Sequence, residues 1–205
     1  RRITYATSFG SWVENFPLRE KELLPWIEQF DALSMREESG VRMLQSRGMA
    51  CEWVLDPTLL LEQTDYDKIA EKRIIDEPYV LLFSWNGAEE AVEITKKVSD
   101  KLGCKAFYIV PPPRAMFCGI QRKLDVGPRE FLSLVKYAEF IVTNSFHGTV
   151  FSTIYKKPFI SAIKGEVDPR RASLMKQLGL ENHLISPERM ELSTIMETDF
   201  SKVES

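Results

Sequence analysis

Long apolar runs are missing from this sequence. No stretch approaches the about 20 residues needed to cross a bilayer as a helix. Arg1-Arg2 leads into a short segment such as a strand would use, not into the apolar core of a secretory leader. Cysteine is scarce as well. Cys51, Cys104 and Cys118 are odd in number, widely spaced and without a C-x-x-C pair. That excludes a disulfide framework and a zinc ribbon, and fits buried thiols in a reducing compartment, here the cytoplasm. The chain has only two histidines, and no clustered His, Cys or Asp pattern suggests a fixed metal. Neither a Walker A loop nor a G-x-G-x-x-G turn occurs, so ATP and NAD have no cradle, and no cofactor is expected. An excess of one charge is also lacking. With 27 Lys and Arg against 30 Asp and Glu, the net charge is −3. This excludes a general nucleic-acid or membrane-surface binder and leaves room for a local cationic pocket. Internal repeats and low-complexity tracts are absent.

What remains is an ordinary globular composition, 44% hydrophobic and 28% charged over 205 residues. Apolar runs alternate with helical patterns. Strands are predicted over 3–8, 32–35, 52–55, 79–83, 105–110, 140–143, 159–162 and 183–186. Helices are predicted over 18–30, which contains Pro25, then from about 37 to 47, over 88–102, 128–137 and 169–178, and from Gly148 onward. Alternation of this kind specifies parallel sheets with right-handed crossovers. Residues 114–126 read as a long loop.

One stretch organises the rest: Phe140-Ile141-Val142-Thr143-Asn144-Ser145-Phe146-His147-Gly148-Thr149. It reads as a buried strand, a short polar turn and a helix start. In open α/β sheets ligands bind beyond the carboxyl ends of strands, where this turn lies. A helix N-terminus carries partial positive charge and suits an anion. His147 stands there, with an imidazole able to give or take a proton near neutral pH. Capping and packing are the competing reading of the same residue.

With Gly127-Pro128-Arg129-Glu130-Phe131-Leu132 upstream and Lys157-Pro158-Phe159-Ile160 downstream, this stretch resembles the polysaccharide pyruvyl transferase family. Tyr5-Ala6-Thr7-Ser8-Phe9-Gly10, Leu33-Ser34-Met35-Arg36-Glu37-Glu38-Ser39-Gly40 and Val54-Leu55-Asp56-Pro57-Thr58 match the same family in the same order. The resemblance implies a GT-B-like architecture of two Rossmann-like halves. Residues 1–66 would be the end of the first half, and residues 67–205 the C-terminal half. It implies transfer of the pyruvyl unit of phosphoenolpyruvate to a sugar of a glycan or lipid-linked precursor, as a ketal, at the cytoplasmic side of a membrane.

Carried onto these positions, His147 becomes the acid or charge stabiliser. Arg36, Ser145, Gly148, Thr149 and Arg171 become binders of the donor's phosphate and carboxylate, anions that arginine's planar fork matches. Each has a plainer reading. Arg36 would pair with Glu37 or Glu38, Ser145 and Thr149 would cap the helix, and one of Arg170 and Arg171 would be solvated. Glu37 and Glu38 read as solvated helix-start carboxylates, Asp56 as a turn residue, His183 as structural, and Trp85 as a loop aromatic able to stack on a sugar. Many family members place an arginine two residues before the histidine, where this chain has Ser145. Two rival readings stand beside this one: a GT-B glycosyltransferase using a nucleotide sugar, whose diphosphate the same helix N-terminus would hold, and a non-catalytic glycan-binding relative, which the substitution at Ser145 sustains.

Overall fold

A computed structural model describes residues 1–84, 89–110, 119–122, 125–190, 200 and 203. Cys118 and the Trp85-Asn86-Gly87 turn lie outside the described residues, as does most of the 114–126 loop. The chain divides into two compact units. The first is Arg1–Leu60 with Val167–Leu178, and the second is Leu61–Glu166 with Gly179–Ser205.

In the first unit, α1 (Phe16–Ile27) follows a 3-10 segment, Gly10–Asn15. β1 (Ser34–Met35), α2 (Glu38–Gln45) and β2 (Glu52–Trp53) form a parallel β-α-β unit. The predicted strand over 3–8 is reduced to two parallel bridges, Ile3 to Ala32 and Thr7 to Met35. The reason is local. Ala6 has φ +52, and Ser34 Oγ accepts from the Ala6 N–H while donating to the Thr4 carbonyl. A hydroxyl thus replaces part of the backbone ladder. Met35, Val41, Leu44 and Cys51 make the core.

The second unit begins with α3 (Gln63–Asp67) and is built on one six-stranded, wholly parallel sheet. Its strands are β3 (Tyr79–Phe83), β4 (Lys105–Val110), β5 (Gln121–Arg122), β6 (Phe140–Thr143), β7 (Phe159–Ala162) and β8 (Leu184–Ile185). The order is β5-β4-β3-β6-β7-β8. The helices are α4 (Glu89–Leu102), α5 (Pro128–Tyr137) and α6 (Phe146–Ile154). β5 lies inside the predicted loop; two residues are too few to show a strand's alternation. α5 starts where Pro128 and a Glu130 carboxylate accepting from the Gly127 N–H favour it. Val80, Leu82, Val142 and Ile160 pack with Ala91, Ile94 and Val98 of α4 in one buried cluster. Elsewhere in this unit Tyr66, Phe151, Phe131 and Phe83 form a chain of aromatic contacts. Phe83, Phe131 and Phe151 are half-buried, so each contributes less than the about 1.5–3 kcal/mol of a fully buried side chain.

α7 (Pro169–Leu178) groups with the first unit. Ser173 Oγ accepts from the Glu38 N–H, and Lys176 pairs with the Glu38 carboxylate at 2.8 Å.

Candidate active site

The strand order of the second unit's parallel sheet reverses between β3 and β6: β4 lies on one side of β3, and β7 and β8 lie beyond β6. A crevice opens at the carboxyl ends of the strands at such a reversal. The β6–α6 turn stands there. Thr143 pairs with Phe83 in register and donates its hydroxyl to the Phe83 carbonyl at 2.6 Å. The same oxygen accepts from the Ser145 N–H at 3.0 Å. Ser145 is the N-cap of α6, its Oγ accepting from the Gly148 N–H at 3.3 Å. That bond uses a lone pair and leaves the hydroxyl proton as a donor. Gly148 is required sterically. A Cβ on it would sit 2.2 Å from Thr143 Oγ1 and 2.9 Å from the Phe83 ring.

Thr149 turns inward. It is fully buried, and its hydroxyl reaches the Ser145 carbonyl at 3.1 Å and Ser161 Oγ at 3.3 Å. His147 is exposed at the second helical position, with its ring edge-on to Phe146. The turn therefore sorts its residues. Gly148 and Thr149 build the close seat of the helix on the sheet, Ser145 caps it, and His147 faces out. Ser84, at the end of β3, is fully buried, and its Oγ has no hydrogen-bond partner among the described residues. Sequence reading passed over it, because a serine closing an apolar strand looks like the start of any turn.

Arg36 and Arg171 lie in the first unit. Arg36 follows β1, Asp56 follows β2, and Ser8 to Gly10 follow the bridged segment, so all three mark carboxyl ends of parallel segments. Arg36 pairs with Asp56, not with Glu37 or Glu38. Asp56 also accepts from the Thr58 N–H and hydroxyl, at 3.1 and 2.6 Å. Burial pushes the Asp56 carboxyl up, but the bonds from Thr58 and Arg36 outweigh it and hold it below the usual carboxylate value.

Glu37 corrects the expectation of a solvated carboxylate. It is fully buried, and one oxygen accepts from the Phe9 and Gly10 N–H groups at 2.5 and 3.0 Å. It clamps the Ser8–Phe9–Gly10 turn, where Gly10 takes φ +57. Glu38 is the surface partner, bonded to Arg42 and Lys176. Arg170 forks onto Asp168 with Nε at 3.0 Å and Nη2 at 2.6 Å, which raises its own pKa. Arg171 is buried, and burial lowers its pKa against the opposing pull of Asp168. Both arginines thus sit near carboxylates in the first unit. His183 is buried and stacked on Phe159, its Nδ1 2.9 Å from the Phe159 carbonyl. Lys164 is held by Glu90.

The family model "Polysaccharide pyruvyl transferase" matches residues 1–163. No curated protein matches the sequence. Among solved structures, the UDP-GlcNAc 2-epimerase of Methanocaldococcus jannaschii, in complex with UDP-GlcNAc and UDP, superposes with a TM-score of 0.51 at 15% identity, over 84% of this chain and 56% of that one. A putative UDP-N-acetylglucosamine 2-epimerase from Listeria monocytogenes gives 0.52 at 12% identity, over 85% and 52%. At such identities the likeness concerns the fold alone: parallel, Rossmann-like α/β sheets of the GT-B-like kind. The chain spans about half the length of these structures. Among the described residues, no helix is long and apolar enough to cross a membrane.

Proposed function

We propose that this chain, which belongs to the polysaccharide pyruvyl transferase family, serves the transfer of the pyruvyl group of phosphoenolpyruvate to a sugar of a polysaccharide or glycan precursor, forming a ketal. The observation that carries this reading is the exposed His147 on a capped helix start at the sheet's reversal point, within the matched residues.

The chemistry asks for an acid at carbon and a clamp for anions. A proton added to the methylene carbon of the enol leaves C2 cationic. A sugar hydroxyl attacks C2 and returns its proton to the imidazole, phosphate departs, and a second hydroxyl of the same sugar closes the ketal, its proton leaving with the phosphate. His147, as imidazolium, supplies the proton. The α6 N-terminus and the Ser145 hydroxyl proton suit the phosphate. Arg36 and Arg171 remain proposed anion binders of the first unit, where Asp56 holds the Arg36 guanidinium in orientation.

A second reading has one observation behind it. The M. jannaschii relative in fold was solved with UDP-GlcNAc and UDP, and a nucleotide diphosphate would suit the same helix N-terminus. One experiment separates the two. The full-length protein is incubated with phosphoenolpyruvate and a panel of glycans, inorganic phosphate is measured, and thermal protection by phosphoenolpyruvate is compared with that by UDP. Phosphate release that requires a glycan, with protection by phosphoenolpyruvate alone, is the expected result. Protection by UDP without phosphate release would hand the site to a nucleotide-sugar enzyme.

A further inference from the structure

A cavity of about 580 Å³ lies at the carboxyl ends of β7 and β8, lined by Glu90, Ile163, Lys164, Pro187, Glu188 and Arg189. It lies wholly within the second unit. Its position follows from the sheet. Thr143 is in register with Ser161, and Ala162 with Ile185. Neighbouring strands lie about 4.8 Å apart. The turn bearing His147 is therefore one strand-spacing from the end of β7 and two from the end of β8, on the same edge of the sheet.

The lining has a definite chemistry. Lys164 Nζ is 2.7 Å from Glu90; the glutamate side chain is only 15% exposed and the lysine's is 75% exposed, so the carboxylate is seated and the ammonium stays open to a ligand. A hydrogen bond from Ser186 holds the Glu188 carboxyl below its ordinary value. Two carboxylates stand with one lysine and one arginine, and the signs cancel. Such a lining repels a diphosphate as much as it attracts one, so it does not suit a nucleotide. It suits a polyol. Carboxylates accept from pairs of hydroxyls, the cations donate to ring and hydroxyl oxygens, and Ile163 and Pro187 offer apolar surface to the C–H face of a sugar ring.

We infer that this cavity is a carbohydrate subsite that seats a pyranose of the acceptor beside the β6–α6 turn. The assignment deepens the proposed function and rests on it for the word acceptor. The seat for an uncharged sugar rests on the cavity alone. It gives the pyruvyl donor and the acceptor neighbouring places along one sheet edge, so a sugar hydroxyl reaches the reacting carbon from the β7 side.

The test is saturation-transfer NMR of the full-length protein with the methyl glycosides of glucose, galactose and mannose at millimolar concentration. At least one is expected to receive saturation. Glu90→Gln with Glu188→Gln should weaken that glycoside about 10-fold or more, since each carboxylate–hydroxyl bond is charge-assisted. Arg189→Gln should weaken it less. Protection by phosphoenolpyruvate and the melting temperature should stay as in the wild type. If the carboxylate variant binds the glycoside as tightly as the wild type, or if no glycoside binds the wild type, the subsite is refuted. Absence of phosphate release from phosphoenolpyruvate would refute the proposed transfer instead, with glycoside binding still deciding the cavity.

Discussion

At the residue scale, the two groups whose chemistry differs most from their neighbours' are His147 and Glu37. Gln in place of His147 keeps a polar side chain of similar reach but cannot deliver a proton near pH 7. In the full-length protein, His147→Gln should therefore lower turnover by about 10²–10⁴-fold, with little change in melting temperature. The pH–rate profile should also lose the limb on which the imidazolium deprotonates. Near-normal turnover in that variant would reduce His147 to a surface residue. Glu37 predicts the opposite pattern, because it holds the Phe9 and Gly10 amides from a fully buried position. Glu37→Ala takes the carboxylate from the part-buried Phe9 N–H and leaves the Gly10 N–H only Ser8 Oγ at 3.2 Å, which should cost about 1–3 kcal/mol. Urea unfolding should show a large loss, and Glu37→Gln, which keeps an acceptor oxygen, a smaller one. Equal stability of both variants and the wild type would deny the clamp. The place of His147 at a helix start was legible in the sequence, because a strand–turn–helix junction is a local signal. Glu37 was not. Glu37 and Glu38 look alike in one dimension, and the turn that separates their fates lies 27 residues upstream.

At the scale of elements, the β6–α6 unit was legible almost to the residue, because its strand, cap and helix each obey a local rule. The segment over 3–8 was not, since the Ser34 hydroxyl that interrupts its ladder arrives from another segment. The grouping of α7 with the first unit was equally hidden, since it depends on the Glu38–Lys176 and Glu38–Ser173 contacts across more than a hundred residues. The legible unit carries its own prediction. Alanine is the better helix former by about 1 kcal/mol, so propensity alone favours Gly148→Ala. The structure says otherwise, because a Cβ there would meet Thr143 Oγ1 at 2.2 Å and the Phe83 ring at 2.9 Å. Overpacking of that kind costs about 1–3 kcal/mol. Gly148→Ala should thus lower the melting temperature and displace the histidine turn from the sheet. A variant as stable as the wild type would show that the helix start yields without strain.

At the scale of the whole molecule, buried and half-buried ionisable groups divide between the two units and set their response to acid. His183 belongs to the second unit, and Asp56 and Asp168 to the first. Burial lowers the His183 pKa, opposed only in part by the hydrogen bond to the Phe159 carbonyl. The unfolded chain therefore takes up a proton, at about pH 6.5 and below, that the folded one refuses. Stability is full above that pH and falls as the pH drops from 7 toward 5, by up to about 1.4 kcal/mol per pH unit for one proton. Asp56 and Asp168 run lower. Burial raises both carboxyls, but their hydrogen bonds with Thr58 and Arg36 or with Arg170 outweigh it and depress them. Their contribution is present above about pH 3.9 and is lost only as the pH falls through their folded values. Amide hydrogen exchange followed from pH 7.5 to pH 3 should then resolve two losses. Protection in β7, β8 and α6 should decline first, and protection in α2 and α7 only below about pH 4. His183→Asn keeps a donor near the position of Nδ1 and cannot titrate. It should start less stable than the wild type through lost ring packing, yet show no decline between pH 7 and pH 5. If His183→Asn retains the full slope, or if both units lose protection together near pH 6, the acid response of the molecule does not originate at the buried histidine.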